Sequence, residues 1–203
     1  MSNHHRATHA LVLDWDGTVT ERDGLHMAIE RFGDLDVFSA LELELGGTMT
    51  LDEVIAEEMA TITAPFEEVR DWLVAQVRVR PGFRELVAAY DPLIVSSGFH
   101  ELIEPVLERE GVVGAVELRA NRVDAQPDGW RVHFRVAETC EVCGEPCKRG
   151  DLPNGEVAYA GDGHSDYCAA LAADRIYATG SLAGFLDRRG VPYEPLTDFR
   201  ALA

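Results

Sequence analysis

The sequence has no apolar run that approaches the 18 residues of a membrane-spanning helix. Basic residues are few, 18 against 36 acidic ones, and the formal net charge is −18. A surface of this charge repels nucleic acid and anionic membranes, so we expect neither as a partner. The first ten residues, MSNHHRATHA, lack the apolar segment of a secretory signal, and we therefore expect a cytoplasmic location.

Cysteine is also scarce, yet three of the four cysteines crowd one stretch, CEVCGEPCKRG at residues 140–150. Without a secretory signal, this spacing predicts metal or redox chemistry before a disulfide framework. Cys140, Cys143 and Cys147 offer three thiolates to a structural zinc ion, which requires four ligands. His133 and Cys168 are candidates for the fourth ligand, while free thiols and a disulfide stay open as alternatives.

The pattern of apolar segments predicts one α/β unit with a parallel sheet. Five short apolar segments alternate with helical segments: HALVLDWDGT, PLIVSSG, VVGAVELRA, EVAYAGDG and RIYATG. Strands that alternate with helices form parallel sheets covered on both faces. PYEPL adds a further strand, and a hairpin is predicted with its turn at Pro127, Asp128 and Gly129.

Residues 24–80 interrupt this alternation. Their helical periodicity predicts three or four helices and no strand, with helix starts at Thr50 and Pro65. We therefore predict a core domain over residues 1–20 and 81–203, with a helical cap inserted at residues 21–80.

Polar groups follow three of the predicted strands. Because the carboxyl ends of parallel strands meet at one edge of a sheet, these groups are expected to lie together. They are Asp14 and Asp16, then Ser96, Ser97 and Gly98, then Asp162 and Asp166. Converging carboxylates repel each other unless a divalent cation is bound, and ligands that are all oxygen favour Mg²⁺. With a serine hydroxyl and Lys148, such a site is suited to hold a phosphoryl group.

The segments DWDGT, IVSSG, a downstream lysine and GDGHSD resemble, in this order, the four motifs of the haloacid dehalogenase superfamily of phosphatases. The resemblance spans residues 10–180 and implies a Rossmann-like core. It implies that Asp14 is the nucleophile that forms an aspartyl-phosphate, and that Asp16 is the general acid and base. Ser96 would bind the phosphate, and Lys148 would neutralise its charge.

The resemblance also implies a magnesium site. Asp14, Asp162 and Asp166 would contribute acidic groups to it, and Asp16 a backbone carbonyl. The helical cap and the hairpin are similar to those of the phosphoserine-phosphatase-like (type IB) branch. Within it, the cysteine-rich loop most resembles the methionine-salvage enolphosphate phosphatases (MtnX-like) and the phosphoethanolamine/phosphocholine phosphatases.

This branch implies a small-molecule phosphate ester as substrate. Phosphoserine phosphatase and phosphotransferase activities are alternatives, and a non-catalytic zinc-binding regulatory protein is a more remote one. The sequence does not indicate the oligomeric state. Residues 21–64 contain eleven acidic and two basic residues, which favours an amine-bearing or uncharged ester over one with an extra carboxylate.

Five further residues are candidates for substrate binding. Ser97 and Gly98 adjoin Ser96. Asp23 stands where phosphoserine phosphatases carry a glutamate that contacts the substrate amine, and a solvated loop residue is the alternative. Met49 belongs to a loop over the site or to a turn between helices. His100 begins a helix near Ser96, where it would meet an anion or stabilise the helix end.

Overall fold

A computed structural model describes residues 10–202, so the polar lead-in at residues 1–9 lies outside the described residues. Within this part of the chain, seven strands form one sheet. The strands are β1 (Ala10–Leu13), β2 (Leu93–Phe99), β3 (Glu117–Asp124), β4 (Arg131–His133), β5 (Val157–Gly161), β6 (Arg175–Ala178) and β7 (Glu194–Pro195). Their order is β4-β3-β2-β1-β5-β6-β7, and only the β3–β4 pair is antiparallel. The predicted α/β fold with a mostly parallel sheet is confirmed.

Four helices occupy the segment between β1 and β2 that was predicted to be helical, and a fifth precedes β2. They are α1 (Gly24–Phe32), α2 (Leu35–Glu44), α3 (Leu51–Ala60), α4 (Phe66–Gln76) and α5 (Phe83–Tyr90). Thr50 and Glu53 form a capping box at the start of α3, and Pro65 precedes α4, as the sequence predicted. The remaining helices are α6 (His100–Glu110), α7 (Tyr167–Ala170) and α8 (Gly180–Arg189). The division into core and cap domains stays a prediction.

The central strand β1 determines where the polar groups lie. It pairs in parallel with β2 through Leu13 and Ile94, and with β5 through Leu13 and Ala160. Leu13, Ile94 and Ala160 are fully buried, as expected for a parallel sheet with both faces covered. The residues that follow β1 and β5 therefore emerge side by side at the carboxyl edge of the sheet.

β2 departs from the prediction, because it continues past Ser96 to Phe99. Its pairing with β3 shifts between Val95 and Phe99, so Ser96, Ser97 and Gly98 lie in an irregular stretch of strand. The irregularity, rather than the end of the strand, frees this segment from regular pairing.

The hairpin joins the helical segment to the sheet. β3 and β4 pair as predicted, and the Gly129 amide closes the turn on the Gln126 carbonyl. Trp130 is fully buried, and its indole N–H donates to the Ala64 carbonyl at 3.0 Å. None of the helices described is both long and apolar enough to span a membrane.

Candidate active site

Asp14 lies at the end of β1 and is 3% exposed. Its amide donates to the Ala160 carbonyl on β5 at 2.9 Å. The chain then turns sharply over Trp15–Val19, with Gly17 at φ 74°. The Arg80 guanidinium holds this turn by donating to the carbonyls of Gly17 (2.8 Å) and Thr18 (2.9 Å). The sequence analysis did not identify Arg80.

Lys148 is buried between two acidic side chains. Its Nζ donates to Asp14 Oδ1 at 2.5 Å and to Asp166 Oδ1 at 2.8 Å. Burial acts to lower the pKa of Lys148, but the two carboxylates outweigh it and raise that pKa above its usual value. The lysine is therefore charged, as a group that neutralises phosphate must be.

Asp166 is fully buried and accepts four short hydrogen bonds from protein groups. Oδ1 accepts from Lys148 Nζ and from the Tyr159 hydroxyl (2.7 Å), and Oδ2 accepts from the amides of Asp162 (2.9 Å) and Gly163 (3.0 Å). Burial acts to raise the pKa of Asp166, but Lys148 and these donors hold it below its usual value. Asp166 thus fixes both the lysine and the loop after β5.

Asp14, Asp162 and Asp166 converge, with one oxygen from each lying within 4.8 Å of the others. Burial, followed by the neighbouring carboxylates, raises the pKa of Asp162 to about 9. Burial and Asp166 likewise raise the pKa of Asp14 to about 6. A buried set of oxygen donors that repel one another is the kind of site that a bound Mg²⁺ ion stabilises, so these residues fit the predicted metal.

Asp16 faces a different side of the site. Its Oδ1 accepts from the Gly24 amide at 2.8 Å, at the start of α1. Burial, and then the carboxylates of Asp23 and Asp14, raise the pKa of Asp16 well above its usual value. A pKa raised in this direction favours the protonated form of Asp16, which suits a general acid.

The irregular stretch of β2 lies beside Asp16. Ser96 is 2% exposed, and its Oγ accepts from the Gly98 amide at 2.9 Å. A Cβ atom at Gly98 would lie 2.8 Å from Asp16 Oδ2, so only glycine permits this approach. The Ser97 carbonyl accepts from Asn121 at 2.9 Å, which fixes the stretch from the β3 side.

A cavity of about 490 Å³ lies between the carboxyl edge of the sheet and helices α1–α3. Its sheet side is lined by Asp14, Asp16, Ser96, Ser97, Gly98, Asp162 and the loop that follows. Its helical side is lined by Asp23, Leu25, His26, Phe38, Glu42, Leu45, Leu51, Val54, Ile55 and Glu58. Within the described chain, this lining includes neither arginine nor lysine, and the helical side is apolar apart from three acids and one histidine.

Three of the weaker candidates differ in position. Asp23 lines the cavity and also accepts from the His26 amide as the cap of α1, a role that the sequence analysis did not predict. His100 lies on α6, with its Nδ1 2.8 Å from Glu104 Oε1, and is not among the described lining residues. Met49 lies in the turn between α2 and α3 and likewise does not line the cavity described above. The structure thus favours the helix-end and turn alternatives for His100 and Met49.

The sequence analysis also missed Glu58, which is 6% exposed and lines the cavity from α3. The signal was available, because Glu58 lies four residues after Val54 and three after Ile55, on the apolar face of an amphipathic helix. An acid at such a position departs from the apolar pattern and indicates a functional or specifically partnered carboxyl group.

The cysteine loop forms a cluster next to Lys148. The sulfur atoms of Cys140, Cys143, Cys147 and Cys168 all lie within 4.8 Å of one another and are not joined by disulfides. Cys168 comes from α7, directly after the loop that carries Asp162 and Asp166. Of the two candidates for a fourth ligand, Cys168 belongs to the cluster, and His133 is not part of it in the described chain.

Comparison with known proteins places this geometry in a family. The profile of the haloacid dehalogenase-like hydrolases matches residues 11–171. The chain is 26% identical over 208 residues to a 2-hydroxy-3-keto-5-methylthiopentenyl-1-phosphate phosphatase of Exiguobacterium sp. (strain ATCC BAA-1283 / AT1b), covering 95% of this chain and 94% of that one. It is 28% identical to the enzyme of the same name from Geobacillus kaustophilus (strain HTA426), covering 93% and 91%.

Solved structures show the same fold. A phosphoserine phosphatase with a phospho-aspartyl intermediate analogue superposes with a TM-score of 0.71 at 16% identity, covering 97% of this chain and 98% of that one. A substrate-bound phosphoserine phosphatase gives a TM-score of 0.72 at 16% identity, with the same coverage. The predicted enzyme class, a phosphoric monoester hydrolase, is that of these proteins. The chain therefore belongs to the haloacid dehalogenase-like hydrolase family, as its four motifs predicted.

Proposed function

We propose that this protein is a magnesium-dependent phosphatase that hydrolyses a small phosphomonoester through an aspartyl-phosphate on Asp14. The main supporting observation is the position of the Asp14 carboxylate. It is shielded from bulk solvent, accepts a hydrogen bond from the charged Lys148, and lines the same cavity as Asp16 and Ser96. This combines a nucleophile, a general acid and cationic charge at one place.

In the first step, an Asp14 oxygen forms a bond to phosphorus while the bond from phosphorus to the leaving oxygen breaks. Asp16 donates its proton to that oxygen, and the alcohol departs. Lys148 and the Ser96 hydroxyl, whose oxygen is held by the Gly98 amide, stabilise the charge on the phosphoryl oxygens. Asp14, Asp162 and the Asp16 backbone carbonyl would hold Mg²⁺, which supplies Lewis-acid stabilisation of that charge.

In the second step, the Asp16 carboxylate takes a proton from water as the water attacks the aspartyl-phosphate. Inorganic phosphate leaves, and both acids return to their starting states. Asp166 stays a predicted metal-site residue. Its four hydrogen bonds from protein groups favour orientation of Lys148 and the loop over direct ligation.

The cavity supports a leaving group without a carboxylate. Phosphoserine carries one, and the described lining of this cavity includes no arginine or lysine, whereas Arg135 lines the adjoining cavity beside Ser96 and Ser97. The relatives are named as phosphatases of 2-hydroxy-3-keto-5-methylthiopentenyl-1-phosphate, whose leaving group is uncharged and contains a thioether. Such a group suits apolar side chains of the cavity such as Phe38, Leu51 and Ile55. We propose this enolphosphate as the substrate, with phosphoethanolamine and phosphocholine as alternatives.

We also propose that residues 21–80 act as a cap that closes over the cavity and excludes water from the first step. Helices α1–α3 supply the whole helical side of the cavity, which supports this division.

The cysteine cluster supports the proposal of a structural Zn²⁺ ion. Four thiolates are a common set of ligands for structural zinc, and Cys147 precedes Lys148 directly. The ion would hold the turn that carries the lysine. Thiolates bound to zinc also suit the predicted cytoplasmic location.

We expect about one zinc per chain in protein purified without added metal. Metal-free protein with four titratable thiols would instead support the free-thiol alternative.

The central test measures phosphate release from the enolphosphate, phosphoethanolamine, phosphocholine and phosphoserine, with and without Mg²⁺. We expect Asp14→Asn to abolish release, and beryllofluoride to modify Asp14 alone. Equal activity of Asp14→Asn would exclude the mechanism. Addition of acceptor alcohols distinguishes a phosphotransferase, since it would form new esters. Absence of turnover with every ester would favour the regulatory alternative.

A further inference from the structure

Glu58 is a buried acid that the mechanism does not use. It projects from α3 among the buried side chains Val54, Ile55 and Met59. Its Oε1 is shielded from solvent and accepts no hydrogen bond from the residues that the structure describes. A buried oxygen without a partner costs about 1–3 kcal/mol, so its presence at a cavity wall points to a partner supplied by a ligand.

The surroundings of Glu58 disfavour its charged form. Burial, and then the carboxylates of Glu42 and Asp23, raise the pKa of Glu58 to about 8. The histidines of the described lining are His26 on the helical side and His164 in the loop after β5. Near neutral pH, Glu58 is therefore a carboxylic acid with one O–H donor and one free carbonyl acceptor.

We propose that Glu58 determines specificity for the leaving group, with its uncharged carboxyl exchanging hydrogen bonds with a neutral polar group, a hydroxyl or a carbonyl. The inference rests on the proposed phosphatase activity and deepens it. A neutral acid that both donates and accepts is matched by a hydroxyketone, which does the same. The apolar residues beside it, Val54 and Ile55, suit the hydrocarbon part of such a group.

A cationic leaving group is the competing partner, because Glu42 and Asp23 also line the cavity. The two partners differ in what they need from position 58. An ammonium group needs a negative charge there, which Glu58→Gln removes. A hydroxyketone needs a donor and an acceptor, which Glu58→Gln keeps and Glu58→Leu removes.

The experiment measures kcat/KM for three esters with wild type, Glu58→Gln and Glu58→Leu. Dihydroxyacetone phosphate has a hydroxyketone leaving group, phosphoethanolamine has an ammonium group, and n-propyl phosphate has neither. We expect wild type to prefer dihydroxyacetone phosphate over n-propyl phosphate by about tenfold or more. Glu58→Gln should keep this preference within about threefold, and Glu58→Leu should lose it while still hydrolysing n-propyl phosphate.

The exposed Glu57 on the same helix gives the matched control, and Glu57→Gln should change none of these values. Thermal unfolding checks the fold, and we expect Glu58→Leu to be at least as stable as wild type because it removes an unpartnered buried oxygen.

Preference of wild type for phosphoethanolamine, lost in Glu58→Gln, would overturn the inference in favour of a cation. Equal losses for all three esters in a folded Glu58→Leu would also overturn it. Failure of wild type to release phosphate from any ester would instead reject the phosphatase proposal, and the inference with it.

Discussion

Gly17 shows how far the site depends on one residue. It has φ 74°, which side chains rarely adopt, and a Cβ atom there would overlap the Asp162 carboxylate. The turn can thus bring Asp14, Asp16 and Asp162 together only because position 17 has no side chain. The contact also explains why a glycine follows the second aspartate of the first motif.

We expect Gly17→Ala to lower kcat by about 100-fold or more and to lower stability by about 1–3 kcal/mol, because Asp162 must move. Gly111→Ala is the matched control. Gly111 has φ 73°, but a Cβ atom there would meet nothing within 4 Å. The control shares the backbone strain and should keep full kcat in a phosphate-release assay. Equal loss of activity in both variants would show that strain alone accounts for the effect.

The raised pKa of Glu58 makes stability depend on pH. The folded protein keeps this proton up to about pH 8, whereas the unfolded chain releases it near pH 4.5. Between these values the folded state binds more protons, so the free energy of unfolding falls as pH rises, by at most about 1.4 kcal/mol per pH unit. Glu58→Gln does not titrate, so the difference in Tm, wild type minus Glu58→Gln, should fall from pH 5 to pH 8. A difference that is constant with pH would contradict the shift.

Single residues also differ in how well the sequence predicts them. Asp14, Asp16 and Asp162 follow apolar strands in a recognisable order, so their proximity was predictable. Arg80 was not, because it acts through backbone carbonyls of a turn 62 positions away in sequence. Cys168 was only one of the candidates for the fourth zinc ligand, since only the fold brings α7 beside the cysteine loop.

Among the structural elements, the turn over Lys148–Asp151 links the phosphate site to the rest of the molecule. Asp151 is 8% exposed, and Arg135 donates to both of its carboxylate oxygens, Oδ1 at 2.8 Å and Oδ2 at 2.5 Å. Arg119 also donates to the Asp151 carbonyl at 3.1 Å. The lysine is thus fixed by the far end of its turn, through Asp151, as well as by its own carboxylate partners.

We expect Arg135→Met to lower stability by about 3 kcal/mol, because it leaves the nearly buried Asp151 without its main partner. The loosened turn should also lower kcat/KM by about tenfold through displacement of Lys148. The exposed Arg175–Glu194 pair is the control, and Arg175→Met should change stability by no more than about 0.5 kcal/mol. Both quantities follow from thermal unfolding and steady-state kinetics. Full activity in a destabilised Arg135→Met would show that this ion pair does not position the lysine.

The type and order of the elements were largely predictable, because apolar periodicity determined both the strands and the four inserted helices. The course of β2 was not. Its apolar residues indicate a strand, but the shift in pairing after Val95 depends on how β3 lies against it. Ser96 was therefore placed at the end of a strand, whereas it lies inside an irregular one.

At the scale of the whole molecule, the charge of −18 acts against a phosphate substrate. A phosphomonoester is itself anionic, so long-range repulsion lowers its rate of encounter with the protein. Lys148 and the proposed metal ion counter this repulsion only within the site.

Added salt should therefore increase activity at low substrate concentration. The Debye length falls from about 30 Å at 0.01 M to about 8 Å at 0.15 M ionic strength, which screens the repulsion. We expect kcat/KM to rise about two- to fivefold over this range, measured with potassium chloride at a fixed, saturating Mg²⁺ concentration. A fall over the same range would indicate that local attraction in the site outweighs the field of the whole surface.

The cavity has two sides with separate origins in the chain. Groups proposed to act on phosphorus come from the carboxyl edge of the sheet and its loops, while those facing the leaving group come from helices α1–α3. Evolution can consequently alter the two sides independently. Replacement of a few side chains within residues 23–58 would yield enzymes with new substrates and an unchanged reaction, so a family with one chemistry can diversify without rebuilding its centre.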